Sequence, residues 1–247
     1  LNTTKWDANN LFSGFTDTSV PIAETLQKLE IGPLPQNTGQ TNGDTHYRGV
    51  RTVNAYNFSG AYSYVELAQA ATSSTKADAM FTVGNNVAAY YRLYVSFGSL
   101  IGLRKVGETK STLFTIPYET TNHRFLRIRH DGATGKLTMD TAAGSGGVPG
   151  SWVQRYSEAW NSSISLTSII FELKAGTWQP ETNAPGKVIF DNFQVESNSA
   201  PVASPPTVTA VSPNSGSTNG GTSVTITGTG FSSGSTVSLG GSFATNV

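Results

Sequence analysis

The chain has 247 residues, with 16 Lys or Arg against 16 Asp or Glu, so its formal net charge is zero. It therefore lacks the positive field that gathers nucleic acid or anionic membrane surfaces, and neither partner is expected. It contains no Cys, which excludes disulfides, thiolate metal sites and a Cys nucleophile.

The N-terminal region contains one ambiguous segment and one loop. Residues 21–31 fit either a helix or a strand, and we favour a strand. Residues 32–44 are rich in Pro, Gln, Asn, Thr and Gly without a repeating apolar position, which predicts a long surface loop. Loops of this kind on a rigid sandwich often carry binding residues.

Alternation of apolar and polar residues predicts eleven β-strands between residues 47 and 196. They cover 47–53, 63–69, 77–83, 89–97, 100–106, 111–116, 124–130, 136–140, 152–159, 168–174 and 187–196. The turn sequence from Asp131 to Gly135 predicts a hairpin over 124–140. Helical periodicity is scarce, so the fold class is all-β, an antiparallel β-sandwich.

A change of composition marks a domain boundary. Residues 197–206 read Ser-Asn-Ser-Ala-Pro-Val-Ala-Ser-Pro-Pro, which predicts a stiff Pro/Ser linker between domains at 1–196 and 207–247. Beyond it, Val208, Val211, Val224 and Ile226 alternate with Thr and Ser between tight-turn sequences.

The tail carries a specific motif. Val211-Ser-Pro-Asn-Ser-Gly216, followed by Gly220-Gly-Thr-Ser-Val-Thr-Ile-Thr-Gly-Thr-Gly-Phe231, resembles the start of an IPT/TIG immunoglobulin-like domain. The resemblance covers about half of what such a domain needs, which implies a partial immunoglobulin-like β-sandwich. Because a half sandwich leaves a strand edge unpaired, we expect either a truncated module or one completed by a neighbouring copy or domain that donates strands.

Three segments of the first domain resemble concanavalin A-like jelly rolls. They are Phe125-Leu-Arg-Ile-Arg-His-Asp-Gly132, Pro149-Gly-Ser-Trp152 and Gly186-Lys-Val-Ile-Phe-Asp-Asn-Phe193. The resemblance implies a lectin-like, non-catalytic carbohydrate-binding module of a modular protein, with a polysaccharide or glycan as its partner. No apolar stretch is long enough to span a bilayer, and the chain begins at Leu1 rather than Met. We therefore expect an extracellular, secreted or cell-surface location.

Aromatic residues supply the candidate sugar platform, because sugar rings stack their apolar faces on aromatic rings. Trp152, Tyr156 and Trp160 are spaced by four, which on a regular strand places all three on one face. Trp160 and Trp178 are the preferred platform, with Tyr156, Tyr91, Glu66 and Glu172 as further ligand-binding candidates. The alternative for large aromatic residues such as Trp152 and Trp6 is burial in the core.

Two carboxylates are candidate metal ligands. Asp191 lies between Phe190 and Phe193 and needs a partner, and Asp7 with backbone carbonyls can complete a hard oxygen ligand set. In the jelly rolls that the first domain resembles, a structural calcium ion near the terminal strands is common, so calcium is the predicted cofactor. The alternative is that Asp191 accepts hydrogen bonds from backbone N–H groups or an Arg.

Two other functions stay open at this point. A glycoside hydrolase needs two carboxylates across a cleft, and Glu66 and Glu172 are the candidates, although the Glu-x-Asp-x-x-Glu pattern of glucanases with this fold is absent. A structural or adhesive surface module would instead assemble through protein contacts. His123, Arg127 and Arg129 share one strand face and fit either an anionic sugar or a salt-bridged surface stripe.

Overall fold

The chain is built from β-strands in two compact units, Leu1–Val202 and Ala203–Val247. The computed structural model describes residues 1–12, 16–36, 46–196, 207–229, 231, 236–239 and 242–244. Every regular element in these residues is a β-strand, which confirms the all-β prediction. In the same residues, no helix has the length and apolar character needed to cross a membrane.

Fourteen strands, numbered in chain order, form the first unit. They are β1 (Trp6–Asp7), β2 (Ile22–Thr25), β3 (Lys28–Ile31), β4 (His46–Thr52), β5 (Tyr62–Gln69), β6 (Ala77–Asn86), β7 (Ala89–Ser96), β8 (Ser99–Val106), β9 (Thr109–Pro117), β10 (Phe125–Asp131), β11 (Lys136–Ser145), β12 (Val148–Ala159), β13 (Ile170–Thr177) and β14 (Val188–Glu196).

These strands pair antiparallel in two seven-stranded sheets that form a sandwich. The first sheet has the order β1-β4-β13-β6-β7-β8-β9, and the second has the order β12-β11-β10-β5-β14-β3-β2. Several neighbours are far apart in sequence, such as β13 between β4 and β6 and β14 between β5 and β3. This connectivity is that of a jelly roll, as the sequence resemblance implied.

Every strand predicted from alternation overlaps an observed strand, from β4 to β14, and the predicted hairpin over 124–140 is formed by β10 and β11. The segment 21–31 is not one strand but a hairpin of β2 and β3. Its turn residues Leu26 and Gln27 have φ angles of 51° and 66°. Two successive non-glycine residues with positive φ are uncommon, so a turn at Leu26 and Gln27 was not expected from the residue types.

The core lies between the two sheets. Alternation along β5 and β13 buries Val65, Leu67, Phe171 and Leu173 in one hydrophobic cluster. The residues between them, Glu66 and Glu172 among others, project from the two outer faces of the sandwich. Any functional surface of the sheets therefore lies on one of these outer faces.

The described part of the second unit contains two short hairpins. β15 (Thr207–Ser212) pairs with β16 (Thr225–Thr229), and β17 (Ser238–Leu239) pairs with β18 (Ser242–Phe243). All side chains of β15 are exposed, including Val208 and Val211. The predicted linker over 197–206 and most of the predicted loop, from residue 37 to residue 44, lie outside the described residues.

Candidate functional site

The outer face of the second sheet carries three partly exposed aromatic side chains. Tyr62 and Tyr64 project from β5, and Trp152 projects from β12. Arg127 on β10 lies opposite Tyr64, and Asp140 on β11 lies opposite Arg127. We call the surface formed by Tyr62, Tyr64, Arg127, Asp140 and Trp152 the aromatic face.

The three rings of the aromatic face form a continuous row. The ring centroids of Trp152 and Tyr64 are 5.7 Å apart, and those of Tyr64 and Tyr62 are 6.4 Å apart with planes only 14° from parallel. Beside them on the same outer face, the fully buried Phe125 meets Tyr64 edge-on at 6.1 Å. Because each ring contacts a neighbour, the row is held in place while remaining accessible to solvent.

Arg127 lies beneath this row. Its guanidinium carbon is 4.1 Å from the ring centroid of Trp152 and 5.6 Å from that of Tyr62, and its side chain is only 15% exposed. Its Nε donates to Oδ2 of Asp140 at 2.9 Å, and Nε of Arg129 is 3.4 Å from the same oxygen. The buried Asp140 thus fixes both guanidinium groups, and Arg127 supports the rings through cation–π contacts.

The β11–β12 hairpin bends over one side of this sheet. Its turn is Gly146-Gly147, and both residues have positive φ. A Cβ at Gly144 would lie 2.5 Å from Cε2 of Phe125, and one at Gly147 would lie 2.8 Å from Nδ2 of Asn192. The hairpin therefore docks closely onto β10 and β14.

Glu66 is buried next to the aromatic face. Its Oε1 accepts a hydrogen bond from Nε of Arg124 at 2.6 Å, and its Oε2 accepts one from Nδ2 of Asn192 at 2.6 Å. Because Asn192 also contacts the hairpin turn, Glu66 joins β5, β14 and the hairpin. Both of its oxygens are engaged within the protein.

The outer face of the first sheet carries buried charges. Nζ of Lys174 is 3.6 Å from Oε1 of Glu172, and Nη2 of Arg92 is 3.8 Å from the same oxygen. Asp78 lies on the same face and accepts a hydrogen bond from the hydroxyl of Tyr47 at 2.5 Å. We call the surface formed by Tyr47, Asp78, Arg92, Glu172 and Lys174 the charged face.

The charged face is closed to solvent. Glu172 has no exposed surface, and its Oε2 accepts a hydrogen bond from the backbone N–H of Phe12 at 2.6 Å. Among the described residues, Oδ1 of Asp78 and Oε1 of Glu172 are buried and accept no hydrogen bond. Burial raises the pKa of Asp78 and lowers the pKa of Lys174 to about 8, because desolvation disfavours the charged form of each group.

Two of the predicted ligand-binding aromatics, Trp160 and Tyr91, pack against each other, and Trp160 is partly exposed. The Trp160 ring is 4.8 Å from that of Tyr91, and its Nε1 donates to the carbonyl of Ile164 at 2.7 Å. Tyr91 is fully buried, and its hydroxyl accepts a hydrogen bond from the backbone N–H of Asn161. Burial raises the pKa of Tyr91 to about 12. Tyr91 is therefore closed to a ligand, which corrects the prediction for that residue, whereas Trp160 is partly exposed and stays a prediction.

A β-bulge corrects the prediction that Trp152, Tyr156 and Trp160 share one face. Gln154 pairs with Asp140 and Tyr156 pairs with the adjacent Met139, so β12 contains one extra residue at this point. The alternation reverses there, which turns Trp152 outward and Tyr156 toward the core. The Tyr156 ring stacks on Phe114 with centroids 6.3 Å apart.

The remaining platform candidate, Trp178, follows directly after β13 and is partly exposed. Its backbone N–H donates to the carbonyl of Lys76 at 3.1 Å, and its buried Nε1 has no hydrogen-bond partner in the part of the chain that the structure describes. The structure does not bring Trp178 onto the aromatic face, which lies on the other sheet.

The structure contradicts Glu66 and Glu172 as a glycosidase pair. Glu66 projects from the second sheet and Glu172 from the first, each away from the core between them. The two sheets of a sandwich are about 10 Å apart, and the carboxylates point in opposite directions from them. They cannot flank one glycosidic bond.

The predicted metal ligands each have partners within the protein. Asp191 Oδ1 accepts a hydrogen bond from the Asn192 N–H at 2.8 Å, and its Oδ2 is 3.5 Å from Nζ of Lys28. Asp7 accepts hydrogen bonds from Asn9 and Asn10, whose donation lowers its pKa against the opposing effect of burial. No group of three or more acidic or His side chains converges within the described ranges. The calcium site stays a prediction.

A side cleft of about 410 Å³ lies beside Asp191. Trp6 and Phe193 line it, with ring centroids 5.0 Å apart, and Nζ of Lys5 lies within 5.5 Å of both rings. The cleft therefore pairs two aromatic rings with one cation, whereas the aromatic face has three rings in a row.

The sequence interpretation missed Tyr62 and Tyr64. A signal was present, because Tyr64 alternates with the buried Ser63 and Val65 in the predicted strand 63–69, and Tyr62 precedes that strand in the same alternation. Their importance depends on Trp152, which the bulge brings to the same face across three strands. That contact is not encoded in any local pattern.

Comparison with known proteins gives a family for the tail and a fold for the first unit. Residues 206–247 match the IPT/TIG domain family, which confirms the resemblance found in the sequence. No curated protein sequence matches the chain.

Among solved structures, a legume lectin-like domain from Entamoeba histolytica has a TM-score of 0.51 at 8% identity, covering 80% of this chain and 92% of that chain. A carbohydrate-binding module from Bacillus subtilis has a TM-score of 0.42 at 11% identity, covering 79% and 98%. An endo-1,3-β-glucanase from Streptomyces sioyaensis has a TM-score of 0.48 at 11% identity, covering 79% and 90%. At such identities the similarity concerns the fold alone. The chain thus joins a jelly roll, similar in fold to a lectin-like domain, to a tail that matches the IPT/TIG family over residues 206–247.

Proposed function

We propose that the first unit binds glycans without hydrolysing them, and that the aromatic face is the binding surface. Sugar rings have apolar C–H faces rimmed by hydroxyl groups, so their sites combine aromatic rings with directional donors and acceptors. Gln154 and Gln194 are exposed and lie on either side of the aromatic face, opposite Asp140 and Tyr64 respectively. They supply amide groups beside the rings.

The observation that carries this proposal is the row formed by Trp152, Tyr64 and Tyr62. Burying each of these rings would be favourable, yet all three remain partly exposed on the outside of a sheet. They are also braced by the buried Phe125 and by Arg127, so the surface is organised before a ligand arrives. Preorganised aromatic surface of this kind favours ligand binding over a purely structural role.

The carboxylates near the rings favour binding over catalysis. Asp140 is buried between two arginines, and Glu66 has hydrogen bonds on both oxygens. A glycosidase needs one carboxylic acid and one carboxylate that reach the glycosidic oxygen and the anomeric carbon. Neither Asp140 nor Glu66 is presented in this way.

The test is binding of wild type, Trp152→Ala and Tyr64→Ala to an array of polysaccharides. We expect wild type to retain at least one polysaccharide and each variant to lose about ten-fold or more in affinity, because each removes one stacking surface. The control is Phe97→Asn, which removes an exposed aromatic ring from the β7–β8 turn and tolerates its positive φ. Wild-type protein that retains no polysaccharide, or variants that bind as wild type does, would refute the proposal.

Catalysis is tested separately by incubating wild-type protein with the retained polysaccharides and measuring new reducing ends. We expect none above the level given by heat-denatured protein. Release of reducing ends that depends on folded protein would show that the unit is a hydrolase.

A further inference from the structure

We infer that the aromatic face takes an internal segment of a linear, uncharged polysaccharide, with one sugar residue on each of its three rings. This inference rests on the proposed glycan-binding function. It specifies the class of glycan and excludes a site for a single terminal sugar.

Ring spacing is the first argument. The successive centroid distances along the row, 5.7 Å from Trp152 to Tyr64 and 6.4 Å from Tyr64 to Tyr62, are each close to the length of one pyranose residue in an extended chain. The planes of Trp152 and Tyr64 are inclined by 53° and those of Tyr64 and Tyr62 by 14°, so a chain that turns between the first two rings meets a new ring with each sugar. Stacking a single sugar would use only one of the three rings.

Openness at both ends is the second argument. A site for a terminal sugar has to be closed beyond that sugar, as in a pocket. The row instead lies on a sheet, beginning at Trp152 on the edge strand β12 and ending at Tyr62, whose partner on β14 is the exposed Glu196. The docked hairpin contacts Phe125 and Asn192, so it borders the face on the Glu66 side. Among the described residues none closes the row at either end, so within this part of the chain a polymer can continue past it.

Charge balance is the third argument and concerns the chemistry of the chain. Arg127 and Arg129 are the two cations of this surface, and both face carboxylates. Asp140 lies within 3.4 Å of both, and Asp131 is 3.7 Å from Nη1 of Arg129. With Glu196 also present, no excess positive charge remains to hold uronate or sulfate groups. The surface therefore fits hydroxyl-rich, uncharged sugars.

The experiment uses oligosaccharide ladders of one to six units, prepared from each polysaccharide that wild-type protein retains on the array, with calorimetric titration of the whole chain. We expect affinity to rise about three- to ten-fold with each unit up to three, and then to level off, because each added sugar covers one more ring. Converting the reducing end to an alditol in the longest oligosaccharide should leave its affinity unchanged.

Tyr62→Ala and Tyr62→Phe form the matched pair of variants. Tyr62→Ala should lower trisaccharide affinity to about the wild-type disaccharide value and lower disaccharide affinity less, whereas Tyr62→Phe, which keeps the ring, should lose less than Tyr62→Ala at every length. A merely structural role of Tyr62 would weaken all lengths equally.

The outcomes separate the two proposals. If one sugar binds as tightly as six, or if modifying a chain end abolishes binding, the surface recognises terminal sugars. This inference is then wrong, while the proposed glycan binding stands. Retention of anionic polysaccharides alone would overturn the inference in the same way. If no polysaccharide is retained at all, both the inference and the proposed function fail.

Discussion

On both outer faces of the sandwich, alternate residues of each strand project away from the core. The two faces differ in how far these side chains are exposed to solvent. On the aromatic face, Trp152 and Tyr64 remain partly exposed. On the charged face, Glu172 and Lys174 are buried beneath further chain, including Phe12. Alternation decides which side chains leave the core, whereas covering segments decide whether they reach water.

The two faces also treat a buried carboxylate differently. Glu66 beside the aromatic face has a strong hydrogen bond on each oxygen, from Arg124 and Asn192. Glu172 on the charged face has one oxygen bonded to a backbone N–H and the other only near two cations. Glu172 is thus stabilised mainly by its attraction to the two cations. Removing one partner of such a buried ion pair leaves an unpaired charge inside the protein and destabilises the fold. The charged face contributes to stability, and the aromatic face is available for a ligand.

The largest expected effect comes from neutralising the charged face with Glu172→Gln. This change leaves Lys174 and Arg92 without their shared carboxylate, so we expect the free energy of unfolding to fall by about 3–5 kcal/mol. Urea denaturation followed by tryptophan fluorescence measures it. The control is Glu196→Gln, an exposed residue of β14 on the opposite side, for which we expect a change within about 0.5 kcal/mol. Equal losses in the two variants would mean that the charged face is not closed.

The sequence predicted the strands of the first unit well, because a strand with one face in the core has to alternate every second residue. It also predicted the tail family, because turn glycines and strand residues of that motif lie close together in sequence. These features depend on local patterns.

The outer faces depend on contacts between distant residues and were not predicted. Phe12 covers Glu172 from 160 positions away. The bulge before Tyr156 comes from the pairing of β12 with β11, which reverses an alternation that looks regular in the sequence. Exposure on an outer face follows from such tertiary contacts, so Trp160 was favoured as a platform and Trp152 was not.

An intermediate effect is expected on the pH dependence of the free energy of unfolding when Lys174→Met is compared with wild type. The pKa of Lys174 is lowered by burial to about 8 in the folded chain, below its ordinary value of 10.5. Between these pH values the unfolded chain binds more protons, so the contribution of Lys174 to the free energy of unfolding rises with pH; below pH 8 it carries its full burial cost.

The measurement is urea denaturation of both proteins between pH 7.5 and pH 10.5. The wild type should gain about 2–3 kcal/mol relative to Lys174→Met across this range. A difference between the two proteins that does not change with pH would show that Lys174 titrates like an exposed lysine, and the closed character of the charged face would have to be abandoned.

The smallest effect concerns the hairpin that separates Glu66 from solvent, and it is measured by comparing Gly147→Ala with Gly146→Ala. Both glycines have positive φ, so each substitution should cost about 1 kcal/mol for the backbone alone. A Cβ at Gly146 meets nothing within 4 Å, whereas one at Gly147 meets the Asn192 side chain. Because Asn192 then has to move from its hydrogen bond with Glu66, we expect Gly147→Ala to cost about 0.5–1 kcal/mol more in urea denaturation. Equal costs would mean that the hairpin does not rest on Asn192. Glu66 would then be a carboxylate open to solvent beside the aromatic rings, and the argument that this face binds without catalysis would lose one of its two supports.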